Sequence, residues 1–430
     1  MIIKTLCLLF GKKPSYVYNE IKGFKFIIIG IILEEGEQIM NDFTFYSPTY
    51  FVFGKNKESE TGKYVKRFGG TKVLLHFGGG SVVKSGLLDS VKKSLEAESI
   101  TYLELGGVKP NPRSGLVYKG IDLCRSEKID FVLAVGGGST IDSAKAIAAG
   151  AVYEGDFWDF YQGLPITKAL PVGTILTIAA AGSEGSPDSV ITNEEGMYKR
   201  GASGEAIRPA FSILNPELTM TLPPFQTACG ATDIMAHVFE RYFTNTKEVE
   251  VTDRFCEAVL LTMIKEVPIV VANPLDYEAR ANIMWAGMVA HNNLCGVGRD
   301  QDWASHDIEH ELSAVYDCAH GAGLAVVFPA WMKYVYQHDV MRFAKIACRV
   351  WGCEMDYDHP ENTALEGISR LRSFLKSIGM PLDFEELGAL EKDIDKMAET
   401  ACYGNGRTGE IGGFVKLKKE DVINIYKLML

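Results

Sequence analysis

The chain has 430 residues, of which 47% are hydrophobic and 23% charged, and its formal net charge is −11. This length allows two domains with a sizeable core, and the acidic balance argues against nucleic acid as a partner, because phosphate binding needs a basic surface. The nine cysteines are scattered without a CxxC spacing, which is typical of reduced thiols in a cytoplasmic protein.

The first 39 residues do not share the regular pattern that begins at Met40. Their two apolar patches, at 6–10 and 26–33, are far shorter than the roughly 20 residues of a membrane-spanning helix, so no membrane association is expected. We predict that the functional chain begins at Met40 and that residues 1–39 are a non-native or disordered leader that packs little against the rest.

A run of aromatic and β-branched residues at 43–53 opens the regular pattern and predicts a strand with an unpaired edge. Exposed strand edges favour pairing between copies of a chain. We therefore expect a homodimer in which this strand meets its twin.

Short apolar runs then alternate with stretches of helical spacing. Strands are predicted at 72–77, 100–105 and 131–135, and helices at 82–95, 114–126 and 141–150. This alternation predicts a parallel sheet covered by helices on both faces, as in Rossmann-like domains. Three-glycine runs follow the first and third strands, where open α/β sheets bind ligands.

The pattern changes after Pro223 and Pro224. Strand signals are nearly absent beyond this point, and the periodicity predicts helices at 227–244, 249–271, 277–292, 303–316, 332–351 and 362–378. We predict an α/β domain over residues 40–218 and an all-helical domain over 219–430. A cleft between two such domains is a favoured place for an active site.

The glycine run at 136–138 lies between a strand and a helix. Missing Cβ atoms let a diphosphate approach the backbone, and the helix start supplies N–H groups. Ser139 and Asp142 fit a capping box. The spacing matches neither GxGxxG nor GxxxxGK[ST], so a tight turn without a ligand remains an equal alternative.

The earlier strand ends in Gly78, Gly79, Gly80 and Ser81, where sites that prefer NAD often place an acidic residue for the ribose hydroxyls. No carboxylate here would repel a 2′-phosphate, and Lys84 could pair with one. The alternative for Lys84 is an exposed lysine on a solvated helix face.

Histidine spacing indicates a metal site in the second half. Asp233 with His237, and His306 with His310, are i, i+4 pairs on predicted helices, and His320 follows ten residues later. Two such helices facing each other could complete a four-ligand site for a divalent ion. These side chains cannot all be direct ligands, so at least one lies beside the ion or is catalytic. The alternative is a set of capping or surface pairs.

Several longer motifs lie in a fixed order along the chain. They are GVKPNP at 107–112, GGGSTIDSAK at 136–145, TIAAAGSE at 177–184, GATDIMAH at 230–237, DWASHDIEHELS at 302–313 and AHG at 319–321. From Met40 onward the chain resembles the iron-containing (group III) alcohol dehydrogenases, especially the branch of NADPH-dependent butanol dehydrogenases and aldehyde reductases. The resemblance implies hydride transfer between NADP(H) and a short-chain primary alcohol or aldehyde.

The resemblance also implies roles for individual residues. The metal ligands, for Fe(II) or Zn(II), would be Asp233, His237, His306 and His320. His310 would be catalytic, relaying a proton beside the metal. The cofactor residues that we predict are Gly78, Gly79, Gly80, Ser81, Lys84, Asn111, Gly136, Gly137, Gly138, Ser139, Asp142, Thr177 and Lys199.

Within that cofactor set, the resemblance gives the pyrophosphate to the 136–139 loop, the groove to Asn111 and Thr177, and the ribose or nicotinamide side to Lys199. The family often has proline at position 179 and threonine at position 181. Both are alanine here, so a threonine hydroxyl contact to the phosphates is lost at Ala181.

Two other functions fit the same two-domain plan. A metal-dependent sugar-phosphate cyclase resembling dehydroquinate synthase needs several basic residues for a substrate phosphate, and only Arg299 lies near the histidine segments. A non-catalytic descendant would have lost a metal ligand, and none is missing. Trp303, Leu294 and Trp158 near the predicted site favour a short aliphatic substrate, so a dehydrogenase that binds only small molecules is the preferred interpretation.

Overall fold

The computed structural model describes residues 40–404 and 407–430, together with the backbone of an antiparallel hairpin, β1 (Ser15–Ile21) and β2 (Phe24–Gly30). The predicted leader, residues 1–39, and its expected loose packing lie outside the residues that are fully described. Among the described helices, none has the length and apolar character that a membrane crossing requires.

A six-stranded sheet forms the centre of the first domain, in the order β3-β10-β7-β6-β4-β5. The strands after β2 are β3 (Tyr50–Phe53), β4 (Lys72–Gly78), β5 (Thr101–Val108), β6 (Phe131–Gly136), β7 (Val172–Leu176), β8 (Asp188–Asn193), β9 (Tyr198–Ser203), β10 (Phe211–Leu214), β11 (Glu410–Ile411) and β12 (Leu417–Lys418). Every neighbouring pair in the sheet is parallel, as predicted.

Helices cover both faces of this sheet and then build the second domain. Those of the first domain are α1 (Thr61–Arg67), α2 (Ser81–Lys84), α3 (Leu87–Ala97), α4 (Ser114–Glu127) and α5 (Gly138–Ala151). Those of the second are α6 (Pro224–Tyr242), α7 (Glu250–Ala272), α8 (Tyr277–His291), α9 (Ala304–Tyr316), α10 (His320–Val335), α11 (Val340–Arg349), α12 (Pro360–Ser377), α13 (Phe384–Leu387), α14 (Ile394–Tyr403) and α15 (Lys419–Lys427).

Strand β6 shows why the sheet is buried on both sides. Its side chains alternate, so that Phe131 and Leu133 join the core under α1 and α3, while Val132 and Ala134 join the core under α4 and α5. A strand that is covered on both faces has a continuous apolar sequence, as in FVLAV at 131–135. The predicted Rossmann-like parallel sheet is confirmed.

The strand order creates a crevice at the carboxyl ends of β4 and β6. Strands β5 and β6 lie on opposite sides of β4, so the chain reverses its direction of travel across the sheet at this point. Ligands of open α/β sheets bind in the crevice at such a reversal. Gly78 ends β4 and Gly136 ends β6, which places both predicted glycine loops there.

Two predicted helices differ from the structure. The helix predicted over 82–95 is interrupted at Gly86, whose φ of 76° is left-handed, so α2 and α3 are separate. The helix predicted over 332–351 joins the end of α10 to α11, and Asp339 begins α11 by accepting a hydrogen bond from the Arg342 N–H. A glycine with positive φ and an N-cap aspartate each end a helical path that apolar spacing alone continues.

Several elements were not predicted, among them strands β7 and β10 of the sheet, most of α10 and the hairpin β8–β9. Helix α10 begins at His320, has glycines in its first turn and contains Pro329, and both residue types weaken the helical signal of a sequence. The antiparallel hairpin β8–β9 lies outside the main sheet and turns through Gly196 and Met197, both with positive φ.

Helix α6 is the central helix of the second domain, and every residue at 227–242 is buried. Its neighbours contribute Trp331, Phe243 and other large side chains to one continuous apolar core. A helix buried all round is normally apolar, yet α6 carries Asp233, His237 and Glu240. Buried polar groups need partners, and these partners form the candidate site.

Candidate active site

Three buried polar side chains on α6 follow helical spacing. Asp233, His237 and Glu240 are at positions i, i+4 and i+7, which brings them to one face of the helix, with exposed fractions of 4%, 5% and 0%. The start of α9 and the start of α10 pack beside this face and bring His306 and His320 to it.

The structure brings the predicted metal ligands together. Asp233, His306 and His320 offer atoms that all lie within 4.8 Å of one another. The ring of His237 lies beside them, with its centre 4.7 Å from that of His306. His310 is 5.6 Å from His320, ring centre to ring centre, and forms a second group with His320 and Glu309.

In three of the histidines, Nδ1 is hydrogen-bonded to an acceptor oxygen. His237 Nδ1 donates to the backbone oxygen of Asp233 at 2.9 Å, and His306 Nδ1 donates to Glu240 Oε1 at 2.8 Å. His320 Nδ1 donates to a carboxylate oxygen of Glu309. Carbonyl and carboxylate oxygens only accept, so each ring is the Nδ1–H tautomer and keeps the Nε2 lone pair for another partner.

Two of the remaining atoms are unsatisfied. Among the described residues, His306 Nε2 and Asp233 Oδ1 are buried and have no hydrogen-bond partner. Leaving such atoms unpaired costs about 1–3 kcal/mol each, and their position among other ligand-type side chains makes them candidate ligand-binding atoms. Three imidazole nitrogens and one carboxylate fit a tetrahedral divalent ion such as Zn(II), and also Fe(II).

Burial shifts the protonation of these groups toward their neutral forms. It raises the pKa of Asp233 to about 6 and that of Glu240 to about 7. It also holds the pKa values of His237 and His306 well below the ordinary value, with neighbouring histidines adding to the effect. Neutral imidazole is the form that binds metals, and a bound cation would favour the ionised carboxylates.

A cleft of about 350 Å³ connects the histidines with the first domain. Gly137, Gly138 and Ser139 line it from the start of α5, and Asp233, His310 and His320 line it from the helical domain. The predicted dinucleotide loop and the predicted metal site therefore open into the same space.

The capping box predicted for Ser139 and Asp142 is wrong. Helix α5 begins at Gly138, its N-cap is Gly137, and no side chain caps it. Asp142 lines the cleft, and its carboxylate instead accepts hydrogen bonds from Ser183 Oγ and the Val190 N–H, at 2.5 and 2.9 Å. The N–H groups at the helix start thus remain directed at the cleft, as an anion site requires.

Packing requires glycine in this loop for a second reason. A Cβ on Gly137 would lie 2.1 Å from Ile178 Cγ2, and one on Gly136 would lie 2.4 Å from Thr140 Oγ1. Close packing of loop and helix therefore accounts for part of the motif, alongside room for a diphosphate.

The other predicted cofactor residues divide into two groups. Asn111 and Lys199 line the cleft. Thr177, which donates its N–H to the Gly136 oxygen at 3.0 Å, lies outside the cleft lining, as do Gly136 itself and the 78–84 segment. That segment is adjacent, because Phe77 of β4 pairs with Val135 of β6.

Asn111 also joins the two domains. Its Nδ2 donates to Asp317 Oδ1 at 3.1 Å, and Arg113 Nη2 donates to the same oxygen at 2.8 Å. Asp317 follows α9 in the left-handed conformation. We call this contact the Asp317 bridge; it crosses between the first domain and the helical domain beside the cleft.

The hairpin β8–β9 makes a second, buried connection between the domains. Arg200 Nη1 donates to Glu311 Oε1 at 3.0 Å, and Lys199 Nζ lies 3.5 Å from Glu309 Oε2. Lys199 is therefore held at the edge of the candidate metal site. Burial raises the pKa of Glu309, but the charges of His320 and Lys199 outweigh it and keep the pKa below the ordinary value.

Sequence reasoning missed Glu240, Glu309 and His291. The ring of His291 lies 4.2 Å from that of His237, centre to centre, and its Nε2 bonds Asp188 Oδ2 at 3.1 Å. The sequence did contain a signal for the two glutamates, because Glu240 follows His237 by three residues and Glu309 follows His306 by three. A carboxylate one turn from a ligand can orient a neighbouring ligand, as it does here.

Of the two tryptophans predicted near the site, one lies there and the other does not. Trp303 lies beside the cluster, with its ring centre 5.1 Å from that of His306. Trp158 does not: it packs in the core of the first domain, stacked on Tyr161, because its 3-10 helix covers the sheet. Arg299 is fully buried against Asp253 and cannot serve a substrate phosphate, which removes the support for a sugar-phosphate cyclase.

Comparison with known families gives the decisive observation. The family model described as iron-containing alcohol dehydrogenase matches residues 48–216, and the C-terminal model of the Fe-containing alcohol dehydrogenase family matches residues 227–430. The chain belongs to the iron-containing alcohol dehydrogenase family. The predicted family is thereby confirmed.

Relatives of this dehydrogenase agree along most of their length. It is 44% identical to the probable NADH-dependent butanol dehydrogenase 2 of Bacillus subtilis, over 91% of this chain and 100% of that protein. It is 36% identical to the NADPH-dependent aldehyde reductase YqhD of Escherichia coli, over 85% and 96%. The crystal structure of NADH-dependent butanol dehydrogenase A of Thermotoga maritima matches it with a TM-score of 0.88 and 42% identity, over 91% and 99%.

The predicted activity class is confirmed as well. This member of the iron-containing alcohol dehydrogenase family is an NAD(P)-dependent alcohol or aldehyde oxidoreductase that acts on small molecules. The predicted plan, an α/β domain followed by a helical domain, is the plan of its structural relatives.

Proposed function

We propose that this dehydrogenase transfers hydride between NADP(H) and a short-chain primary alcohol or aldehyde, at a site that holds one divalent metal ion. The proposed ligands are Asp233, His237, His306 and His320. The observation that carries this proposal is the convergence of two unsatisfied buried atoms, His306 Nε2 and Asp233 Oδ1, with His320 at the cleft that the glycine loop lines.

An ion bound there would supply Lewis-acid polarisation of the substrate carbonyl group. The side chains of this protein do the rest. The Nδ1 hydrogen bonds fix the three imidazole rings, and the packed core around α6 keeps bulk water from the cluster. Polar groups held rigidly in a dry site stabilise developing charge without reorganising.

His310 is the proposed proton relay. It lines the cleft, follows His306 by one helical turn, and its ring lies beside His320. A histidine in that place can pass a proton between the substrate oxygen and solvent while leaving metal binding to its neighbours.

NADP(H) is the proposed cofactor because the end of β4 carries no acidic side chain. The names of the relatives do not agree, since the proteins of Bacillus subtilis and Clostridium acetobutylicum are NADH-dependent and that of Escherichia coli is NADPH-dependent. Gly79 and Ser81 leave room for a phosphate, and Lys84 is exposed in α2. A well-formed charge-assisted contact is worth roughly 1.5–3 kcal/mol, which corresponds to at least about a tenfold preference.

A short aliphatic substrate fits the lining of the cleft. Beside the polar groups, its walls are small or apolar, with Ile178, Ala180, Cys229 and Gly230 among them. Relatives named as butanol dehydrogenases support the same substrate class. Iron and zinc fit the ligand set equally well, and the expected cytoplasmic location stays a prediction.

The test compares two histidines one turn apart on α9. His306→Ala should abolish both stoichiometric metal binding and NADPH oxidation with a panel of aldehydes, because it removes a ligand. His310→Ala should keep the metal and lose rate. If His306→Ala retains its metal and most of its turnover, the ligand assignment is wrong, and if His310→Ala loses its metal, the division of roles is wrong.

A further inference from the structure

Glu240 occupies an unusual position between two helices of the metal cluster. It lies on α6, one turn after His237, and its side chain is fully buried. Among the described residues, the donors to its carboxylate all lie at the start of α9: the Trp303 N–H at 2.9 Å, the Ser305 hydroxyl, the His306 N–H at 3.0 Å and His306 Nδ1 at 2.8 Å.

The carboxylate caps the start of α9 from a different helix. The N-cap residue Trp303 makes no side-chain cap and has a φ of 77°, which is rare for a residue with a side chain. Asp302, just before it, accepts from the Ala304 N–H at 3.3 Å. Glu240 binds the free N–H groups at this helix start, where a negative charge is also favoured by the helix dipole. Arg241 lies over the Trp303 ring, 4.7 Å from its centre, and helps to hold it.

The same carboxylate fixes the chemistry of the His306 ring. Oε1 accepts from the His306 backbone N–H, so it is an acceptor toward Nδ1 as well. Glu240 therefore binds both the His306 backbone N–H and the ring Nδ1. With these two points fixed, the direction of Nε2 is fixed as well. One ring nitrogen of His306 lies within 4.8 Å of ligand atoms of Asp233 and His320, and because Nδ1 is bonded to Glu240, we assign this nitrogen as Nε2.

A structural ion pair does not explain this residue. Within the described part of the chain, no lysine or arginine nitrogen lies within 4.0 Å of Glu240, and its only pair is with His306. An isolated buried carboxylate is expensive, whereas one that is linked through an imidazole to a divalent cation has its counter-charge nearby.

We propose that Glu240 is a positioning residue that holds His306 as the Nδ1–H tautomer and sets the point at which its Nε2 meets the metal ion. This role rests on the proposed metal site. It acts from the side of His306 opposite to the cluster, so substituting Glu240 changes no group that lines the cleft.

The test measures metal affinity and the geometry around the metal, independently of turnover. Glu240→Gln removes the charge and, whichever way the amide is turned, sets its N–H₂ group against the α9 donors at one of the two oxygen positions. The apo-protein is titrated with Zn(II) in competition with a chelator, and with Co(II) while its visible absorption is recorded. We expect the metal Kd to rise by about 10- to 100-fold and the Co(II) spectrum to change.

Glu311→Gln is the matched control, because Glu311 is also a buried carboxylate of α9 but pairs with Arg200. It should lower the melting temperature and leave the metal Kd and Co(II) spectrum unchanged. If Glu240→Gln does not fold, Glu240→Asp gives the same test, since the shorter side chain keeps the charge but no longer reaches Nδ1.

Each outcome has one meaning. A folded Glu240 variant with the parent Kd and Co(II) spectrum overturns the positioning role. The His306→Ala variant in the same titration keeps the two proposals apart: if it loses the metal, the proposed site stands without Glu240, and if it binds like the parent, the proposed site itself fails. Equal losses in Glu240→Gln and Glu311→Gln would also overturn the positioning role, because any buried carboxylate of this region would then have the same effect.

Discussion

At the scale of single residues, two glycines determine how closely His320 approaches its neighbours. A Cβ on Gly321 would lie 2.0 Å from the backbone oxygen of Cys229 on α6, and one on Gly323 would lie 2.6 Å from Glu309 Oε1. Glycine inside a helix destabilises it by roughly 0.5–1 kcal/mol relative to alanine. Here that loss allows α10 to pack directly against α6 and admits the carboxylate that bonds to the His320 ring.

Gly323→Ala should weaken metal binding, although neither glycine nor alanine has a side-chain group that could bind a metal ion. The new methyl group displaces the Glu309 carboxylate, so His320 loses the acceptor on Nδ1, and we expect the metal Kd to rise about tenfold or more. Gly201→Ala is the control, because its nearest side-chain atom would be at 3.9 Å. Parent-like affinity in Gly323→Ala, measured by chelator competition, would show that the carboxylate is not needed.

Gly78→Asp should shift cofactor preference from NADP(H) toward NAD(H). The nearest atoms to a Cβ there are at 3.7 and 3.9 Å, so the side chain fits without displacing its neighbours. It would hydrogen-bond the ribose hydroxyls and repel a 2′-phosphate. Values of kcat/KM for both cofactors decide the matter, and a preference for NAD(H) in the parent enzyme would mean that this loop has been misinterpreted.

Lys84→Ala is the companion to that substitution. It should reduce kcat/KM for NADP(H) and leave the value for NAD(H) unchanged, because only the phosphorylated ribose would contact the ammonium group. An equal fall with both cofactors would assign Lys84 to the general stability of α2.

At the scale of secondary-structure elements, α7 and α11 are joined by a buried charge cluster. Asp253 of α7 lies 2.8 Å from Arg299 and 2.6 Å from Lys345, and it also bonds Arg342. Arg299 in turn donates to the backbone oxygens of Arg241 and Val249, at the end of α6 and the start of α7. Removing one partner of such a cluster leaves uncompensated charge in the core.

Asp253→Asn should destabilise the fold by about 3–5 kcal/mol at neutral pH. Burial raises the pKa of Asp253, but hydrogen bonds and charge from Arg342, Lys345 and Arg299 outweigh it and hold the pKa below the ordinary value. Because the folded pKa is depressed, the stabilisation is complete above the unfolded pKa of about 4 and is lost as the pH falls through the folded value.

Urea unfolding of parent and variant across pH measures this effect, and the difference between them should shrink below about pH 4. Glu361→Gln, which breaks only an exposed pair with His359, should change stability by less than about 1 kcal/mol. A constant difference between parent and Asp253→Asn down to acid pH would contradict the ionic origin.

The elements also show how far sequence reasoning reaches. The prediction of a helix at 277–292 agrees closely with α8 (Tyr277–His291), because apolar spacing is a property of the segment itself. Helix α10 was missed because glycines and Pro329 weaken the local signal that tertiary packing restores. Glu240 and Glu309 were missed for a related reason: their spacing of three residues from His237 and His306 is a local signal, but their hydrogen-bond partners depend on how the helices pack.

At the scale of the whole molecule, β3 leaves one edge of the central sheet uncovered by another strand of the sheet. Phe43, Phe45 and Tyr46, just before it, are exposed, as is Trp285, whose ring contacts Phe51 and Phe53 edge to face. An unpaired strand edge beside an aromatic surface is expected to pair with a second copy. The strand predicted over 43–53 is confined to Tyr50–Phe53, and the dimer stays a prediction, which the following variant tests.

Phe45→Lys should convert a dimer into a monomer at micromolar concentration, since Phe45 is 43% exposed in the aromatic surface beside β3 and a lysine there opposes burial in an interface. Light scattering gives the mass, and Phe255→Lys, an exposed site on α7, is the control that should remain dimeric. A monomeric parent protein would remove the basis for this assembly.

The Asp317 bridge and the buried carboxylates of the candidate site should respond differently to the solution around the enzyme. Asp317 is 65% exposed, so its pair with Arg113 is within reach of dissolved ions, which weaken exposed ion pairs. The carboxylates that orient the metal ligands are fully buried and are shielded from those ions. Ionic strength should therefore weaken this exposed contact between the domains, while the buried hydrogen bonds of the candidate site, and the buried pair of Arg200 with Glu311, keep their strength.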